Sequence, residues 1–228
     1  MDRVQSRPTA DREVSVRTGG VELQGHLTVP DGAHGVVLFA HGSGSSRHSP
    51  RNQYVARVLR QAGLGTLLID LLTADEESVD QYTRHLRFDI ELLALRLIGT
   101  TDWLRQHPLT DELPIGYFGA STGAGAALLA AADRPDVVRA VVSRGGRPDL
   151  AGPALLRVHA PTLLIVGGAD APVIDLNERA LELLGGEKEL RIVPGATHLF
   201  EEPGALEEVA RLAADWFARH LAPAHAAT

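Results

Sequence analysis

A serine between two glycines stands at the junction of an apolar run and an alanine-rich run. The stretch IGYFGASTGAGAAL covers residues 115–128 and contains Ser121. A Gly-x-Ser-x-Gly motif on a sharp strand-to-helix turn exposes the serine hydroxyl at the end of a sheet, where it can act as a nucleophile. Because a serine hydroxyl is a weak nucleophile at neutral pH, a base must accept its proton during attack. The motif therefore predicts nucleophilic catalysis, provided that a base and its orienting acid lie nearby.

A candidate base and a candidate acid follow two later strands. His198 ends the stretch PGATH, and imidazole suits the role of base because it titrates near neutral pH. Asp170 closes the turn GGAD and would hold the imidazole ring in the right tautomer. The chain order Ser, Asp, His is the one used by α/β-hydrolases. Asp70 and Asp175 are rival acids, and Asp170 could instead cap the helix that follows it.

Further residues at the strand ends could bind the substrate. The backbone N–H groups of Thr122 and Ser43 are the predicted oxyanion hole, and in related chemistry one such donor is worth roughly 2.7–4 kcal/mol. Arg144 and Arg147 follow another strand and could meet a substrate carboxylate, although loop arginines are often simply solvated. His41 is expected to brace its loop rather than to react.

The glycines of the serine motif leave a second class of chemistry open. Glycines at positions 119, 123 and 125 also match a turn that lets the backbone approach a pyrophosphate. However, the motif lies at an inner strand, and no tyrosine is followed by lysine four positions on. Lys188 is the only lysine, and no Gly-Lys step exists for a P-loop. An NADP-binding reductase is therefore the least favoured alternative, after a hydrolase fold that serves only for binding or regulation.

Composition limits the remaining classes. The chain has 228 residues, no cysteine and a formal net charge of −7, which excludes thiolate nucleophiles and argues against general nucleic-acid binding. The histidines show no metal-ligand spacing, and ester cleavage by a serine, a histidine and an aspartate requires no metal or organic cofactor, so we expect neither. The N-terminal stretch is polar and charged, without the apolar core of a signal peptide, and no apolar run reaches the roughly 18 residues of a membrane span. We therefore expect a cytoplasmic protein that makes no contact with membranes. Its expected partner is a small-molecule ester substrate, and a homodimer is one possible oligomeric state.

The elements that must position these residues alternate between strands and helices. An antiparallel hairpin is predicted around Thr18-Gly19-Gly20, over Glu13–Arg17 and Val21–Val29. Short apolar runs predict buried, mostly parallel strands over Val36–Ala40, Thr66–Asp70, Ile115–Phe118, Val137–Ser143 and Thr162–Val166, with Glu189–Val193 as a last strand. The predicted helices are Asn52–Gln61, Arg87–Gln106, Thr122–Ala132, Leu176–Leu184 and Gly204–His220. This order predicts an α/β fold with a doubly wound sheet, formed by a single domain over residues 1–228 with an ordered core over about 13–220 and no large lid domain.

The chain also resembles a known family. The segments that carry the resemblance are HGSGSSRHSPRN, DLLTADEE, GASTGAG, GGADAPV and PGATHLFEEP. They resemble a small bacterial α/β-hydrolase of the dienelactone-hydrolase-like group, from about Glu13 to His220. The resemblance implies Ser121 as nucleophile, Asp170 as acid and His198 as base. Some relatives of this kind are fused to a phosphoribosyltransferase domain, and we expect no such domain in this chain.

One departure from the family pattern bears on the substrate. Dienelactone hydrolases proper use a cysteine as nucleophile, whereas this chain carries Ser121. The serine favours ordinary ester chemistry over dienelactone itself. We therefore expect a serine carboxylesterase for small or short-acyl substrates, with a thioesterase or lactonase on the same triad as the alternative.

Overall fold

One sheet of eight strands runs through the computed structural model, which describes residues 10–222. The strands are β1 (Ala10–Thr18), β2 (Val21–Val29), β3 (Val36–Ala40), β4 (Gly65–Ile69), β5 (Ile115–Ala120), β6 (Val138–Arg144), β7 (Thr162–Gly167) and β8 (Lys188–Val193). Their order across the sheet is β1-β2-β4-β3-β5-β6-β7-β8. The hairpin of β1 and β2 is antiparallel, β2 also runs antiparallel to β4, and every other neighbouring pair is parallel.

Six α-helices connect and cover the strands. They are α1 (Pro50–Gln61), α2 (Ala74–Thr83), α3 (Ile90–Leu104), α4 (Thr122–Asp133), α5 (Ala171–Leu183) and α6 (Ala205–His220). Side chains of α3, α4 and α5 pack on one face of the sheet, and those of α1 and α6 pack on the other. Within residues 10–222, no helix combines the length and the apolar character needed to cross a bilayer.

The central strands are buried because helices cover both of their faces. Every residue of β3, β4, β5 and β7 is buried, as expected for parallel strands that read as continuous apolar runs. The parallel strands bring their carboxyl ends to the same edge of the sheet, where ligands bind in open α/β folds. That edge carries Ser121, Asp170 and the loop that contains His198.

The predicted architecture is confirmed: the sheet is doubly wound and mostly parallel, begins with an antiparallel hairpin, and carries no large lid domain in the part of the chain that the structure describes. Two short 3₁₀ turns within Pro148–Arg157, separated by a kink at Gly152, occupy the connection between β6 and β7 and pack against α4. The first residues of the chain and Ala222–Thr228, which lie beyond the predicted ordered core, fall almost entirely outside the described range.

Two helix predictions differ from the structure. The predicted helix Arg87–Gln106 begins only at Ile90, because the side chain of Asp89 accepts a hydrogen bond from Leu92 N at 3.0 Å and caps the first turn. The segment before it, Leu86–Phe88, is a 3₁₀ turn. Helix α2 was not predicted at all, and α5 begins at Ala171 rather than at Leu176.

Candidate active site

Ser121 lies on a strained turn between β5 and α4. Its φ is 51° and its ψ is −122°, a backbone conformation that residues with a Cβ rarely adopt. A Cβ on Gly119 would lie 2.4 Å from Ala124 Cα, and one on Gly123 would lie 2.3 Å from Ala40 O. Both flanking glycines are thus required by the close approach of α4 to β5 and β3. The result is a serine lifted above the sheet at the N-terminus of α4.

His198 and Asp170 are joined by a hydrogen bond. His198 Nδ1 lies 2.7 Å from Asp170 Oδ2, and the side chain of Asp170 is 14% exposed. Asp170 precedes α5, but its side chain caps none of the helix N–H groups. Its carboxylate is therefore committed to the imidazole, an arrangement that keeps the proton on Nδ1 and leaves Nε2 free to act as a base.

The two rival carboxylates lie elsewhere. Asp70 accepts a hydrogen bond from Arg47 N at 2.7 Å and forms an ion pair with the guanidinium of the same residue. Asp175 lies on an exposed face of α5, past the first turn. Neither contacts His198, so the geometry favours Asp170 as the orienting acid.

Ser121 and His198 lie on neighbouring parts of the same strand edge. Ser121 N donates to Arg144 O at 3.3 Å. A Cβ on the next residue, Gly145, would lie 3.1 Å from His198 O and 3.5 Å from His198 Cε1. Within residues 10–222 no hydrogen bond joins the serine to the imidazole, and such catalytic contacts often tighten only when a substrate binds.

The two predicted oxyanion-hole residues are brought together by the tight packing of the loop after β3 on the serine turn. A Cβ on Gly42 would lie 3.2 Å from Ser121 Cβ. Thr122 is the first residue of α4, so its N–H has no acceptor within the helix. Ser43 N, however, donates to the side chain of Thr122, with 2.9 Å between N and Oγ1. The sequence motif gave no indication that the Thr122 hydroxyl accepts the N–H of Ser43.

His41 braces the loop that carries Ser43. Its Nδ1 lies 2.9 Å from Gly42 O, and its Nε2 accepts a hydrogen bond from Leu71 N at 3.1 Å. Loss of hydration lowers the pKa of His41. Because Nε2 accepts the N–H of Leu71, the ring is neutral and carries its proton on Nδ1. One nitrogen bonds within the loop and the other ties the loop to the segment after β4, which matches the expected bracing role.

The two candidate arginines have different environments. Arg147 forms a double hydrogen bond with Asp149, at 2.8 Å and 2.7 Å. Arg144 is only 7% exposed and has no carboxylate partner within residues 10–222, and its Nε makes no hydrogen bond. Burial, together with the nearby charge of Arg51, lowers the pKa of Arg144 to about 10, and its guanidinium lies 6.0 Å from the centre of the Phe200 ring. Arg144 is still charged at neutral pH and is free to pair with an anion.

One buried side chain of α5 holds the loop between Arg144 and Arg147. The buried side chain of Asn177 donates to Gly146 O at 3.0 Å and to Val173 O at 2.8 Å. It thereby ties α5 to Gly146, the residue that follows the glycine lying against His198. Sequence reasoning missed this residue, because a lone asparagine within a helix gives no signal of a contact 31 residues away.

A depression of about 460 Å³ lies beside the loop after β3, lined by residues that include His41, Gly44, Arg47, Asp70 and Glu77. Ser121 and His198 are not among the residues that line it. Among the described residues, no group of three or more histidine or acidic side chains is placed to hold a metal ion.

The sheet topology, the serine turn and the Asp–His pair at the strand ends define an α/β-hydrolase. Among solved structures, a dienelactone hydrolase from Anabaena variabilis is 66% identical to this chain. The alignment covers 94% of this chain and 100% of that structure, and the TM-score is 0.92. The chain therefore belongs to the dienelactone hydrolase family of α/β-hydrolases. Est1E from Butyrivibrio proteoclasticus has the same fold at 15% identity, with 91% of this chain and 98% of that structure aligned at a TM-score of 0.75.

Two curated relatives carry a different name. Two Mycobacterium tuberculosis proteins, each named "Putative phosphoribosyl transferase", are 62% identical over 221 residues, which are 97% of this chain and 49% of theirs. The chain thus spans about half the length of the curated relatives it matches, and their name belongs to proteins about twice as long. No family model matches the chain.

Proposed function

We propose that this protein is a serine hydrolase that cleaves carboxylic esters of small or short-acyl substrates through an acyl-enzyme intermediate. The observation that carries the proposal is the strained turn at Ser121 beside a His198–Asp170 pair joined at 2.7 Å. A strained nucleophile and an oriented imidazole have little structural use apart from such chemistry. The fold that the chain shares with its family supports the same reaction class.

The mechanism assigns one role to each group. Ser121 Oγ attacks the ester carbonyl carbon while His198 Nε2 accepts the hydroxyl proton. The carbonyl oxygen becomes an oxyanion, stabilised by hydrogen-bond donors at the start of α4. His198 then donates its proton to the leaving alcohol, and Asp170 stabilises the imidazolium throughout. A water molecule, activated by the same histidine, releases the acid. Thioesters and lactones can follow the same steps.

Removing the nucleophile tests this proposal. We expect Ser121→Ala to abolish both hydrolysis of p-nitrophenyl acetate and labelling by a fluorophosphonate probe, because the variant lacks the hydroxyl that the strained turn presents as the nucleophile. The matched control is Ser78→Ala, an exposed serine on α2, which should leave both unchanged. Labelling that survives in Ser121→Ala would assign the nucleophile to another residue.

The environment of Arg144 supports a substrate that carries a negative charge. A buried guanidinium without a carboxylate partner is costly, and an anionic group on the substrate would offset that cost. We expect Arg144→Met to raise KM for esters that carry a carboxylate while leaving KM for neutral esters unchanged. The same variant should be more stable by about 1 kcal/mol or more, since an uncompensated buried charge is replaced by an apolar side chain.

The control for Arg144 is an arginine of the same strand. Arg139 is exposed near the opposite end of β6, so Arg139→Met should change neither KM nor the melting temperature appreciably. Equal KM effects of Arg144→Met on acidic and neutral esters would argue for a purely structural role.

A further inference from the structure

The side-chain hydroxyl of Thr122 has an unusual environment for a helical threonine. Its Oγ1 accepts the N–H of Ser43 at 2.9 Å, and the residue is only 5% exposed. Two other buried threonines in helices, Thr100 and Thr101, donate their hydroxyl protons to the carbonyls four residues earlier, each at 2.8 Å. Thr122 cannot do so, because it is the first residue of α4 and no helical turn precedes it.

The proton of the Thr122 hydroxyl is therefore uncommitted. Within the described range the hydroxyl accepts one hydrogen bond and donates none. A buried hydroxyl with an unused donor carries a desolvation cost. An acceptor at this position, adjacent to the nucleophile and to the free N–H of the same residue, would remove that cost.

The position of the hydroxyl also alters the oxyanion hole. The N–H of Ser43 is directed at Thr122 Oγ1, so the backbone of the loop after β3 reaches an oxyanion through the threonine side chain. Hydrogen bonds in a chain polarise one another, so a hydroxyl that accepts from an N–H becomes a stronger donor. The Thr122 hydroxyl can thus pass the effect of the Ser43 N–H on to the reacting oxygen.

We infer that the hydroxyl of Thr122 is a catalytic donor of the oxyanion hole. As Ser121 Oγ bonds to the carbonyl carbon, the π electrons of the carbonyl move onto its oxygen. Thr122 then donates one hydrogen bond from its N–H and a second from its hydroxyl to that oxygen. The hydroxyl keeps its proton throughout, and Ser43 N–H continues to donate to Thr122 Oγ1. This inference rests on the proposed function, since it needs an oxyanion formed by attack of Ser121.

Removing only the hydroxyl tests the inference. Thr122→Val preserves shape and branching, and we expect kcat for p-nitrophenyl acetate to fall on the order of 10²-fold, as when one oxyanion-hole donor is removed. KM should change little, because the interaction strengthens only in the transition state. The rate of fluorophosphonate labelling should fall in parallel, since the phosphonyl oxygen would occupy the same position. Thr122→Ser, which retains a hydroxyl, should keep kcat within about tenfold of the native value.

A matched control separates catalysis from packing. Thr100→Val removes a buried helical hydroxyl that donates to a backbone carbonyl, so it should lower the melting temperature without changing kcat. If Thr122→Val fails to fold, the comparison of Thr122→Ala with Thr122→Ser makes the same distinction, and only the alanine variant should lose activity.

Two results would overturn the inference. A native or higher kcat in Thr122→Val would mean that the hydroxyl is a bystander, or obstructs the N–H of Ser43. Equal losses in Thr122→Ala and Thr122→Ser would assign the effect to packing. Both results bear on the inference only if ester turnover by the native protein depends on Ser121. The absence of any difference between native protein and Ser121→Ala would instead show that the proposed function itself has failed.

Discussion

At the scale of single residues, the site depends on which carboxylate orients His198. Asp170 contacts Nδ1 of the imidazole at 2.7 Å, whereas Asp70 is paired with Arg47. The sequence alone left both residues open, because both follow strands of the same sheet. What decides between them is the position of β7 beside β8, which brings the end of one strand next to the loop that follows the other. That adjacency is a property of the sheet order and not of any local motif.

Asparagine at position 170 gives a direct test. We expect Asp170→Asn to lose most activity at neutral pH, because the amide favours the wrong imidazole tautomer. The corresponding change in a serine protease lowers kcat on the order of 10⁴-fold. The melting temperature should change little, since the shape of the side chain is kept. The measurement is kcat for p-nitrophenyl acetate together with a thermal melt.

The control variants are the two other aspartates. Asp175→Asn should retain kcat and stability, since that side chain lies on an exposed part of α5. Asp70→Asn should cost stability through the lost ion pair with Arg47, with turnover largely kept. An inactive Asp70→Asn beside a fully active Asp170→Asn would show that the acid has been assigned to the wrong residue.

At the scale of elements, the strands were more predictable than the helices. The parallel strands are apolar throughout because both of their faces are covered, and such runs are visible in a sequence. Helix α2 has no comparable signal: its one buried residue is Asp80, while Val79 and Tyr82 are exposed. Its start does carry a capping box formed by Thr73 and Glu76. The capping box and the three acidic residues of the first turn were the available indications of this helix, since it lacks an apolar face.

The serine turn also depends on how closely α4 packs. A Cβ at position 123 would lie 2.3 Å from Ala40 O and 2.4 Å from His41 O, backbone atoms that cannot move without displacing β3. We therefore expect Gly123→Ala to destabilise the protein by about 1–3 kcal/mol or more, as overpacking does. It should also lower kcat, because the same shift moves the loop that carries Ser43. Urea unfolding and ester turnover measure the two effects.

A glycine without such crowding provides the comparison for Gly123. A Cβ on Gly65, at the start of β4, would meet its neighbours only at 3.4 Å and beyond, which is ordinary contact distance. Gly65→Ala should therefore retain kcat and nearly all of the free energy of unfolding. If Gly123→Ala behaved like Gly65→Ala, the close approach of α4 to β3 would not be what holds the turn.

At the scale of the whole molecule, one sheet supports two separate apolar layers. Leu38 and Tyr117 point into the layer under α3 and α4, while Val37 and Phe118 point into the layer under α1 and α6. Adjacent residues of the same strands thus serve opposite faces, as the alternation of side chains along a strand requires. Neither layer can lose its strands without exposing the other. The prediction of a single domain therefore amounts to a prediction of cooperative unfolding.

The two tryptophans of the chain allow this to be measured, because they lie on opposite faces of the sheet. Trp103 packs against the layer under α3 and α4, and Trp216 is buried in the layer under α6. We expect Trp103→Phe and Trp216→Phe to leave one fluorescent reporter on each face. In each variant, the urea midpoint from fluorescence should coincide with the midpoint from far-UV circular dichroism, which follows the whole chain. Comparing two signals within one variant removes any effect of the substitution on stability itself. A fluorescence midpoint that precedes the dichroism midpoint in either variant would mean that one layer opens first, and that the two faces are separate cooperative units.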